Sequence, residues 1–146
     1  MPLFSGSASA QNEGSPYTPQ RIADCSQMIP ESNKVRIDWD EIGSLKALES
    51  CIYSVAADLS DKEALNDFLI ESGFDTLQIM LVDVAVMKNG YNQDGPGWRL
   101  SGTQPRTKIQ MKMGLINSFL VHSLSVGIIL DENQTPIKVS ATFTRT

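Results

Sequence analysis

The sequence predicts an α+β fold in which two N-terminal helices pack on one face of a mainly antiparallel sheet of about four strands, behind an N-terminal tail. Two observations carry this. Apolar residues fall at helical spacing from Ile42 to Leu59 and again from Leu65 to Leu69, and after Gly73 the chain changes to β-branched and alternating runs joined by turn residues. At 146 residues the default is one domain.

Residues 1–34 read as a flexible Ser/Pro/Gln-rich tail and linker, with Pro2, Pro16, Pro19 and Pro30 and no sustained apolar period. Within it, Ala8-Ser9-Ala10 has the small-residue form that signal peptidase reads. No basic or long apolar segment precedes it, so the remnant of an export signal and an ordinary polar tail both fit. The single domain is expected over residues 35–146.

Val35, Ile37 and Trp39 alternate with polar residues, which suits a short strand or extended entry before the first helix, with Asp38 or Asp40 as its cap. Ile42, Leu45, Leu48, Ile52, Val55 and Leu59 then trace one helical stripe. Ser60-Asp61-Lys62-Glu63 has the form of a capping box that starts a second helix, Leu65, Phe68 and Leu69 give that helix its buried face, and Gly73 suits its stop.

"TLQIMLVDVAVM" reads as a strand of roughly 36 Å. Both of its faces are largely apolar, so it is expected to be central and covered on both sides. "TKIQMKMG" reads as a half-buried strand, and "NSFLVHSLSVGIIL" as a longer one with a bulge or bend at Gly127. After the turn cluster "DENQTP", Ile137, Val139, Ala141 and Phe143 face inward on a terminal strand. Between the first two strands lies "MKNGYNQDGPGWRLSGTQPRT", read as a connection of about 19 residues where two to five usually suffice.

Cys25 and Cys51 are the two cysteines, and their spacing is not that of a metal site. A disulfide between them would constrain the unfolded chain by about 3.5 kcal/mol. It would also favour a periplasmic or secreted location. No apolar run is long enough for a spanning helix.

Charge is split along the chain. Residues 1–75 hold 13 acidic and 5 basic side chains, about −8, and residues 76–146 hold 4 and 7, about +3. Arg99, Arg106, Lys108 and Lys112 form a cationic stretch without a carboxylate, too few cations to argue for nucleic acid.

Catalytic signals are weak. His122 is the one histidine and lies in an apolar run with no nucleophile elbow. Aligning "NGYNQDG" to a calcium loop puts Gly90 at the first ligand position and Ser101 at the bidentate one, so that match fails twice. Met111, Met113 and His122 could form a soft Cu(I) site, although methionine most often fills cores. No nucleotide-binding motif is present, and no cofactor is expected.

The sequence thus points to a small exported, non-enzymatic binding or inhibitor-like domain that contacts an unknown protein or an anionic envelope component. A structural subunit that assembles into an oligomer is the alternative, ahead of an enzyme with an unrecognised site. Tyr91, Trp98 and Arg99 are expected to carry the contact, with Arg106, Lys108 and Lys112 as a cationic margin.

Overall fold

The computed structural model describes residues 22–30, 32, 34–88, 91–111 and 121–145. Residues 1–21 of the expected tail, Lys112, Met113 and the open stretch Leu115 to Asn117 lie outside these. The short helix α1 (Ile22–Cys25) leads into a small hairpin of β1 (Ser26–Ile29) and β2 (Lys34–Ile37), followed by a 3-10 turn (Trp39–Glu41). Helices α2 (Leu45–Leu59) and α3 (Lys62–Glu71) precede β3 (Asp75–Lys88), β4 (Tyr91–Pro105), β5 (Val121–Leu130) and β6 (Pro136–Arg145). These four strands form an antiparallel sheet in the order β3-β4-β5-β6, with α2 and α3 packed on one side.

Secondary structure is therefore present from Ile22, ahead of the expected domain start at Val35. The disulfide is the physical reason. Cys25 and Cys51 are bonded, their Cα atoms 5.8 Å apart and both residues fully buried, which fixes the β1–β2 hairpin to α2.

Helix ends differ in detail from expectation. Ser44, rather than Asp38 or Asp40, caps α2 by accepting from the Ala47 N–H, because the two aspartates are taken up around the 3-10 turn. Ser60 does not open a capping box. It closes α2 in the left-handed conformation (φ 48°), and the next residue, Asp61, caps α3 by accepting from the Glu63 N–H. Gly73 stops α3 as expected. Its φ of 96° allows the Gly73 N–H to reach the Ile70 carbonyl and the Phe74 N–H to reach that of Leu69, a Schellman ending.

Ser72 joins three layers at this point. Its hydroxyl donates to the Phe68 carbonyl (2.7 Å) and accepts from the Ile37 N–H (2.9 Å). Its carbonyl accepts from Trp39 Nε1 (3.0 Å) and Gln104 Nε2 (3.1 Å), so β2, the 3-10 turn and β4 all converge on the end of α3. The core lies between helices and sheet, with Leu48, Ile52, Leu65 and Leu69 against Leu100, Leu124, Ile128 and Leu130.

A sheet of four strands was expected and a four-stranded sheet forms, but its second strand lies elsewhere. The "connection" is β4. Its register runs from Lys88↔Tyr91 to Asp75↔Thr103, so Asn89 and Gly90 are the two residues between strands. An Asn-Gly pair between apolar runs is a strong hairpin signal. Three glycines and two prolines masked it, and β3 supplies the pairing that β4's own composition does not favour. Conversely, "TKIQMKMG" is not a strand where described: Arg106–Lys108 form a 3-10 turn and Ile109–Met111 are irregular.

Among the described residues β3 is an edge strand, not the expected central one, and Met80 and Leu81 are accordingly 51 % and 65 % exposed. Gly127 lies in regular register between Ser101 and Ser140. The irregularities fall instead at Val121/Ser123 and at Ile129/Leu130, the second of which turns Ile137 outward.

Candidate functional site

Burial alternates along the inner strands and separates two faces. Leu100, Gly102 and Gln104 on β4, Leu124, Val126, Ile128 and Leu130 on β5, and Val139 and Ala141 on β6 are buried toward the helices. The residues between them form the opposite face. Cross-strand pairing arranges that face in rows: Gln78, Ser101, Gly127 and Ser140, then Thr103, Ser125 and Thr142. Arg99, exposed, stands at one end of it.

These side chains line an open concavity of about 360 Å³, together with Gly102 and Val126. Gly127 makes the hollow, because it places no side chain between the hydroxyls of Ser101 and Ser140. The lining holds one cation, five hydroxyls and an amide, and no carboxylate. Hydroxyls and an amide can donate to or accept from a ligand, and an exposed guanidinium selects for negative charge.

Two of the expected contact residues, Trp98 and Arg99, do not share a surface. Trp98 is half-buried and packs against the core, with the Lys62 ammonium 4.4 Å from its ring centre, while its chain neighbour Arg99 lies on the opposite face. Alternation along a strand enforces this separation. Tyr91 begins β4 seven residues before Trp98, in a two-stranded ribbon that β5 does not flank; its side chain lies outside the described residues.

Arg106 and Lys108 are exposed on the 3-10 turn after β4, and Lys108 pairs with Asp75 at 3.1 Å. Lys112 lies outside the described residues. For the copper expectation, Met111 is buried in the core and His122 is exposed at the irregular start of β5, whereas Met113 is outside the described residues. Among the described residues, no group of three or more His, Cys, Asp or Glu side chains could hold a metal ion.

Sequence reasoning missed the hydroxyl face. Its signal was present as Ser-x-Thr on β4, Ser-x-Ser on β5 and Ser-x-Thr-x-Thr on β6, but it becomes visible only once β4 is known to be a strand.

Two sheet edges complete the geometry. On β6 the Ala141 N–H donates to Glu49 Oε2 of α2 at 2.8 Å, so a helix side chain occupies a ladder position. On β3, the described residues supply a strand partner on one side alone. No helix among the described residues is long and apolar enough to cross a membrane. Comparison with protein-family models, curated proteins and solved structures found no match for the chain.

Proposed function

We propose that the chain is an extracytoplasmic, non-enzymatic binding domain whose recognition surface is the helix-free face of its sheet. The carrying observation is the concavity lined by Arg99, Ser101, Thr103, Ser125, Ser140 and Thr142 with no carboxylate. In a chain of net charge −5, a local cationic and hydroxyl-rich surface suits an anionic, hydroxyl-bearing component of the cell envelope. The buried disulfide supports the extracytoplasmic location, since such bonds persist where the environment is oxidising.

The test is binding of heparin, a polyanionic and hydroxyl-rich probe, measured by calorimetry against neutral dextran. Arg99→Glu should abolish heparin binding. Lys46→Glu, at an exposed position on α2, makes the same change of charge on the helical side and should leave binding within about twofold. Equal losses in both variants would indicate diffuse electrostatics and defeat the proposal.

A second reading, a subunit that assembles through its sheet, is favoured by the open β3 edge with Met80 and Leu81 exposed.

A further inference from the structure

We infer that β3 is a self-pairing edge, along which two copies of this chain join antiparallel into one eight-stranded sheet. Long apolar edge strands recruit other chains unless they are blunted by proline, lysine, bulges or a covering element. β3 runs 14 residues without a proline, its register irregularity at Asp75/Gln78 and its lysine, Lys88, fall at its two ends, and its middle exposes Met80 at 51 % and Leu81 at 65 % on opposite faces. Only an added strand covers both side chains at once.

The other edge decides which strand that is. Glu49 occupies the Ala141 N–H on β6, so addition of β3 to β6 of the next molecule, which would propagate without end, is blocked. Pairing of β3 with β3 remains and closes as a two-fold dimer.

Symmetry also fixes the register. A two-fold axis joining two such sheets must be normal to them, so helix-side residues meet helix-side residues and one residue pairs with its own copy. Centring the axis on Leu81, the more exposed of the two, sets Leu81 against Leu81, Met80 against Val82, and Ile79 against Asp83 of the second molecule. The two Asp83 carboxylates then lie four positions apart, about 13 Å along the strand.

Size sets the strength. A contact about 46 Å long and one layer, about 10 Å, deep gives roughly 460 Å² per copy. The total of about 900 Å² is below the usual range for stable complexes, which places the dimer among weak, transient contacts. Pairing joins the two helix-free faces into one surface with two Arg99 side chains, which would raise avidity for a polymeric ligand.

Sedimentation of the full chain from about 1 to 500 μM, the range for an interface of this size, tests the inference. The wild type should pass from monomer to dimer. Leu81→Lys, at an exposed position, should keep its circular dichroism spectrum and weaken dimerisation at least tenfold, because like charges would face each other. Directly opposed strand residues have Cα atoms about 4.5–5.5 Å apart, within disulfide range. Leu81→Cys should therefore cross-link on oxidation, whereas Gln78→Cys, about 20 Å from its copy, should not. A wild type that stays monomeric, a dimer indifferent to Leu81→Lys, or equal cross-linking at both positions would overturn the proposal.

Discussion

The Glu49 carboxylate accepts a hydrogen bond from the Ala141 backbone N–H, joining residues 92 positions apart at 2.8 Å. It ties α2 to the last strand and occupies a backbone donor of that strand. Glu49→Ala should cost about 1–2 kcal/mol, as loss of a hydrogen bond to a charged acceptor at a partly buried site. Amide exchange at Ala141 should quicken more than the change in global stability explains.

Reduction of the Cys25–Cys51 bond should lower stability by about 3.5 kcal/mol, the chain-entropy value for a loop of this length. Denaturant titration with and without a phosphine reductant measures this. Cys25→Ala with Cys51→Ala should show a similar loss and should loosen the β1–β2 hairpin first, because that hairpin is anchored through Cys25.

Ser72→Ala removes the acceptor of the Ile37 N–H at a fully buried site. A loss of about 1–3 kcal/mol is expected from chemical denaturation. Ser72→Thr, which keeps a hydroxyl, should recover part of the loss.

Trp98→Ala should destabilise by roughly 2–3 kcal/mol, as a large aromatic withdrawn from a half-buried site. Heparin affinity should not change, since Trp98 lies on the helical side of the sheet. Lys62→Met should shift Trp98 fluorescence and cost less than about 1 kcal/mol.

Gly97→Ala tests the close approach that the β3–β4 ribbon needs. An added Cβ would lie 2.5 Å from the Leu130 carbonyl oxygen and 2.8 Å from the Val84 methyls. Backbone cannot yield as a side-chain tip can, so a loss of about 1–3 kcal/mol is expected by thermal unfolding.

Local physics explains which elements were legible. The helical stripe from Leu45 to Leu59 and the Gly73 stop are written in nearest-neighbour spacing and formed as expected, whereas Ile42, expected at the head of the stripe, lies in extended chain before the Ser44 cap. The cysteine pair needed only an even count. β4 was hidden because Gly95-Pro96-Gly97 reads as turn, yet Pro96 lies where β4 has a neighbour on one side alone, so the missing N–H is tolerated. Mistaking that strand for a loop placed Trp98 and Arg99 on one imagined surface. β3 looked central because both of its faces are largely apolar, a pattern indifferent to whether its second neighbour belongs to the same chain.

The helix-free face as recognition surface is tested most directly by amide chemical-shift mapping of the labelled chain titrated with heparin. The account predicts shifts at Arg99, Ser101, Thr103, Ser125 and Ser140, around the concavity. Shifts confined to the Arg106–Lys108 turn or to α2 and α3, with those strand residues unmoved, would contradict it.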